Sequence, residues 1–202
     1  MTRLILLTLL LVGTESTSFA YRQAPSQEEI VYLDQQIAAQ PNNSRLLQMR
    51  GLDYAVLGQK DKALADFKAA QKITPHQVRL YWSLGWALFN LDDYHSAVNV
   101  WEHAAALADQ KHNASISPDL DDPDDLTDAT WVPCTLALGY WADGDEAKAL
   151  ELFSMEAKVN LHYRDHAAFA QETNGWTEKE QTMALLLFDA WKKKADSAGS
   201  HL

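Results

Sequence analysis

Residues 44–77 read SRLLQMRGLDYAVLGQKDKALADFKAAQKITPHQ, and residues 78–111 read VRLYWSLGWALFNLDDYHSAVNVWEHAAALADQK. Laid over each other at a shift of 34, they place Leu47 on Tyr81, Gly51 on Gly85, Tyr54 on Leu88, Ala63 on Ala97, Phe67 on Trp101 and Ala70 on Ala104. Bulky residues meet bulky ones and small meet small; Pro75 alone gives way, to Asp109. A further copy follows an insertion and carries Leu136-Ala137, Tyr140, Gly144, Ala149 and Phe153. Within each copy the apolar and small residues recur three or four apart, the helical period. Gly58 falls between two such segments and divides the first copy into a helix pair. Gly51 and Gly85 lie inside helices, where glycine costs about 1 kcal/mol relative to alanine. Such glycines are expected where a second helix comes close, here through Ala63 or Ala97, with Phe67 and Trp101 filling the space between successive hairpins. A single hairpin cannot bury its own apolar face, so neighbours must stack.

These residues resemble the tetratricopeptide (TPR) pattern: an aromatic, Leu-Gly, a Tyr, a later Ala, an aromatic and a Pro. The match is close over 44–77 and 78–111 and looser over 130–163, about half the chain. It departs at Arg50, where the pattern has Leu, at Asp109 for the Pro, at Pro133 in the first bulky site of the third copy, and at Glu156 in a small-residue site. The resemblance implies an all-α protein, a right-handed superhelical array of antiparallel helix hairpins with about three repeats plus capping helices. It also implies a binding role towards another protein or peptide. The expected pairs are 44–57 with 60–73, 78–91 with 94–108, and 130–142 with 145–159.

The flanks read as caps, making 26–194 one domain after a short linker at 21–25. Ser26-Gln27-Glu28-Glu29 is a capping box opening a helix that carries Ile30, Leu33 and Ile37 and stops at Pro41-Asn42-Asn43. Thr177-Glu178-Lys179-Glu180 is another, ahead of Met183, Leu186, Leu187 and Trp191. A helix over 165–171 and the turn Asn174-Gly175 complete the C-terminal cap, 165–194, leaving 195–202 as a tail. Residues 1–20, MTRLILLTLLLVGTESTSFA, have the layout of a secretory signal: a positive start, a short apolar core and small residues two apart at Ser18 and Ala20. The apolar run is shorter than the ~20 residues a bilayer span needs. The protein is therefore expected to be exported, to the periplasm if bacterial and otherwise secreted, without stable membrane insertion after cleavage.

Lys plus Arg is 17 against 28 Asp plus Glu, a net charge of −11, which argues against a nucleic-acid binder, since phosphate recognition needs a basic surface. One cysteine, Cys134, permits neither an intrachain disulfide nor a thiolate zinc cluster, and reads as a small buried residue. The insertion at 110–129 holds Asp119, Asp121, Asp122, Asp124, Asp125 and Asp128. Clustered carboxylates suit Ca²⁺, but an EF-hand register would need Gly at Asp124 and Glu at Thr130, so a solvated loop is the simpler reading. His162 and His166 are four apart and could share a helical face as metal ligands, yet no third ligand is evident. No catalytic constellation or cofactor motif stands out, and no enzymatic activity is expected.

The constellation that points to function is aromatic. In the helix over 79–90, Trp82, Trp86 and Phe89 form a second stripe beside the packing stripe of Tyr81, Leu84, Gly85 and Leu88. Trp131, Leu138 and Trp141 occupy the matching side of the third repeat. In TPR proteins this side of the first helix lines the concave groove, and large aromatics are typical anchors of interfaces. Arg45 and Arg79 add positive charge at one edge. Because the groove middle is Leu52, Trp82, Trp86 and Phe89, apolar anchors on a partner are expected in place of a clamped carboxylate. Two expectations compete: a metal-dependent (Ca or Zn) protein or enzyme that uses the acidic 119–128 loop or the His162/His166 pair, and a structural subunit whose groove is filled by the N-terminal helix or the C-terminal helices.

Overall fold

Three times among the described residues a helix ends in the same backbone turn, and a second helix starts two residues after the left-handed residue of that turn. In the first, the Gln59 N–H donates back to the Tyr54 carbonyl and the Ala63 N–H to that of Gln59; Asp93 to Leu88 with Ala97 to Asp93, and Asp145 to Tyr140 with Ala149 to Asp145, repeat the pattern. The residues before Gln59, Asp93 and Asp145 are left-handed: Gly58, Asp92 and Gly144. This is the Schellman closure, in which a left-handed residue lets the chain satisfy the last carbonyls of a helix. The turns lie 34 and then 52 residues apart, so the third copy keeps the register with an 18-residue insertion.

The computed structural model of the chain describes residues 25–113, 132–197 and 199. Every regular element among them is helical: α1 Gln27–Ala39, α2 Ser44–Val56, α3 Lys60–Ile73, α4 Val78–Asn90, α5 Tyr94–Asn113, α6 Val132–Asp143, α7 Glu146–Val159, a 3-10 turn at Leu161–Arg164, α8 His166–Glu172 and α9 Glu178–Ser197. None of these helices is long and apolar enough to cross a membrane. α2 pairs with α3, α4 with α5 and α6 with α7; α4 then packs on α2 and α3, and α6 on α5. The expected signal at 1–20 and the linker at 21–24 lie outside the described residues, as do the insertion from 114 onward and Trp131.

The helices start and stop largely where local chemistry places them. Ser26 and Glu29 close the capping box of α1 in both directions. Thr177 and Glu180 do the same at α9, with the Glu180 N–H donating to Thr177 Oγ1 and the Thr177 N–H to Glu180 Oε2. Two boundaries differ from expectation. α5 runs on to Asn113, five residues beyond 108, so the insertion expected at 110–129 begins inside a helix. α9 extends through 195–197, expected as tail, since no breaker precedes Gly199 and Lys192 pairs with Asp196 one turn on. The buried face of α9 is Glu180, Ala184, Leu187, Phe188 and Trp191; Leu186, expected inward, is half exposed.

One core runs through all three hairpins and the C-terminal cap. Phe67 lies against Gly51 within the first hairpin, whereas Trp101 lies between Gly85 of α4 and Gly139 of α6 and so joins hairpins two and three. Ala149 and Ala157 are the buried small residues of α7, the second lying one place beyond the Glu156 at which the repeat pattern departs. α9 packs on α6, α7 and α8, around a cluster of Phe153, Tyr163, Phe169, Phe188 and Trp191. The Trp191 ring N–H donates to Ser154 Oγ at 2.9 Å, satisfying the one polar atom of that buried ring.

Candidate functional site

The aromatic stripe of α4 forms as its spacing requires. Trp82, Trp86 and Phe89 follow one another along one side, each pair edge to face with centroids 6.1 and 5.8 Å apart. Their surroundings differ along the row. Trp82 is half-buried, and its backbone carbonyl accepts the Trp101 ring N–H at 3.0 Å. Trp86 is 8% exposed and Phe89 0%. Trp86 meets Trp101 on one side and Trp176 on another, each at 5.2 Å between centroids, which makes it a hub between α4, α5 and the chain leading into α9.

The other expected contact residues divide in the same way. Arg45 is exposed in the first turn of α2, while Arg79 is buried at the start of α4. Trp141 is half-buried near the end of α6, and Leu138 is fully buried. Accessible anchors at Trp86, Phe89, Leu138 and Arg79 are therefore corrected: the first three belong to the core, because the helical period fixes which side a residue faces but not what packs there. Trp131 lies outside the described residues.

Sequence reasoning missed the residues that cover the C-terminal end of α4. Lys179, in the first turn of α9, donates to the carbonyls of Phe89 at 2.9 Å and Asn90 at 3.2 Å and to Asp92 Oδ1. Its ammonium lies 5.7 Å from the centre of the Phe89 ring and 5.2 Å from that of Tyr94. A helix C-terminus carries partial negative charge and unpaired carbonyls, so a lysine there satisfies both. Asn90 Nδ2 donates to Glu180 Oε1 at 2.6 Å, and Glu180 is only 3% exposed. Burial raises the Glu180 carboxyl above its ordinary pKa, against the hydrogen bonds from Asn90 and Thr177. The Asp92 carboxyl is held below its usual value by its bonds from Lys179 and Tyr94. The signal in the sequence was Asp92 itself, which stands 34 residues after Gly58 at a left-handed position.

In the first hairpin, Arg50 of α2 replaces an expected leucine and ties three helices. Its guanidinium forks onto Asp66 of α3 at 2.8 and 2.7 Å and reaches Asp34 of α1 at 2.6 Å, which keeps it charged. Tyr140 bridges Glu102 and Lys148, joining α5, α6 and α7. The helical face expected for His162 and His166 does not form. Asp165 caps α8 through the Ala168 N–H, so His162 lies in the 3-10 turn beside Glu172 at 2.7 Å, and His166 begins α8 at 3.8 Å from Asp189. Cys134 is buried, and burial pushes its thiol up to about 12, well away from reactive thiolate character.

The sequence matches no family model and no curated protein. The repeat reading therefore rests on this chain's own residues and on the three equivalent turns.

Proposed function

We propose that this chain is an exported, non-catalytic TPR-like protein that binds another protein or peptide. In this reading the hairpins stack as a right-handed superhelix, and the first helix of each faces the partner. The layout of residues 1–20 supports export, to the periplasm in a bacterium and otherwise to the outside. One observation carries the binding role: α4 presents a continuous row of rings whose leading member, Trp82, is only partly buried. A tryptophan that keeps part of its surface accessible is a typical hot-spot residue. Arg45 and Trp141 keep surface on the first helices of the neighbouring hairpins and complete the proposed contact set. The buried charges serve packing, Arg50 with Asp66 and Glu180 with Asn90, which favours a scaffold over a reaction centre.

A second reading has its own support. Trp176, Lys179 and Glu180 sit on the far end of the same row, as in a structural subunit whose groove is filled by its own chain. Affinity purification of the tagged full-length protein from its native envelope or secreted fraction, with mass spectrometry, identifies the partner. Trp82→Ala and Trp141→Ala are then compared with the parent. Capture of that partner is expected to fall about tenfold or more, the loss of one hot spot, while both variants stay folded. Full capture by folded forms of both removes this face from the reading.

A further inference from the structure

Lys179 fills a built cation pocket at the end of the aromatic row, made of two backbone carbonyls, the Asp92 carboxylate and the faces of Phe89 and Tyr94. A helix C-terminus and two ring faces both favour a cation there. Asp92 is the telling member. The equivalent turn residues are Gly58 and Gly144, and Asp92 alone of the three holds φ 63° with a side chain. That conformation suits glycine best and is open to aspartate, whose carboxylate here accepts from the Tyr94 hydroxyl at 2.7 Å and from Lys179.

α9 is anchored unevenly. Its later half places Leu187, Phe188 and Trp191 in an apolar cluster, whereas residues 176–180 hold on by one ring edge, one ammonium, one buried carboxylate and the Thr177 hydroxyl, which donates to Asn90 Oδ1 at 3.4 Å. Another ammonium and another ring could replace such contacts directly. The turn ahead of α9 contains Gly175 at φ 97°, a site where the chain can redirect without moving α8.

We propose that residues 176–180 form a releasable clasp over the binding face, displaced by a partner polypeptide that offers an aromatic ring and, three residues later, a lysine. The inference rests on the partner-binding reading of α4. The incoming ring replaces Trp176 against Trp86, and the incoming ammonium replaces Lys179 on the α4 carbonyls and Asp92. The later half of α9 stays docked on Phe153 and Phe188.

The test uses a fluorescein-labelled peptide of residues 173–184, TNGWTEKEQTMA, added to the full-length protein and followed by anisotropy. Trp176→Ala with Lys179→Ala opens the clasp and leaves the pocket intact; Lys179→Ala alone serves if the double variant does not fold. The opened chain is expected to bind the peptide at least about tenfold more tightly than the parent, and to lose that gain when Asp92→Gly is added. Asp92→Gly suits the turn conformation, so the loss reports the pocket and not the fold. No binding by a folded opened chain overturns the proposal, and so does equal binding by parent and opened chains. Partner capture is scored separately. Peptide binding without partner capture removes the functional reading and keeps the clasp; partner capture equally strong in parent and opened chains, without peptide binding, does the reverse.

Discussion

A Cβ placed on Gly85 would lie 2.2 Å from Nε1 of Trp101, a ring with no exposed surface whose N–H is committed to the Trp82 carbonyl. Gly139 presses the same ring from α6, with its Cβ position 2.9 Å from Cζ3. Trp101 therefore has little room to yield. Gly85→Ala gains about 1 kcal/mol of helix propensity, but overpacking of this kind costs roughly 1–3 kcal/mol and is expected to prevail. Gly51, whose Cβ would stand 2.8 Å from Phe67, should tolerate alanine better. Denaturant midpoints check both, and a Gly85→Ala variant at least as stable as the parent would mean that Trp101 relocates freely. This packing was legible because the 34-residue shift aligns Gly51 with Gly85 and Phe67 with Trp101. Arg50 was not legible. The repeat pattern gives leucine there, and the arginine is rewarded by two carboxylates the pattern does not mark: Asp66 of α3, where the next copy has Val100, and Asp34 of α1.

Helices were legible wherever a cap or a left-handed turn marks them, and less so where the end depends on tertiary contacts. α9 shows the difference. Its capping box could be read directly, but the box pattern carries no sign of what covers its glutamate, and in the fold Glu180 is buried against Asn90. The burial has a consequence for pH. Because the native carboxyl has a raised pKa, the folded state holds its proton more tightly than the unfolded chain, whose glutamates titrate near about 4.3. Between that value and the raised one, the folded state binds more protons, so this group's contribution to stability declines as pH rises. Asp92, shifted the other way, retains its contribution across this window and loses it only in more acid solution. Chemical denaturation of the parent and of Glu180→Gln across this range should show the parent's relative stability falling towards neutral pH. A relative stability that rises instead would mean the carboxylate is better solvated in the folded protein than its burial indicates.

Across the whole molecule, periodicity specified a chain of hairpins in one register, and the three Schellman turns carry that register through the insertion. It could not specify which rings of α4 remain available. That depends on α9, which enters from 90 residues away in sequence to meet Asn90 through Glu180. The difference has an energetic signature. Trp86 touches Trp82, Phe89, Trp101 and Trp176, so its removal opens a void shared by α4, α5 and the approach to α9. Such a void collapses poorly, because its walls belong to separate elements held by other contacts. Trp86→Ala should therefore cost about 3–5 kcal/mol, the range for deletion of a buried aromatic. Trp82→Ala leaves part of its vacated space in solvent and should cost clearly less. Melting curves of the two single variants, recorded with circular dichroism, give the comparison. Equal destabilisation would place Trp82 in the core as well, withdraw it from the partner surface and leave Arg45 and Trp141 as the remaining contact residues.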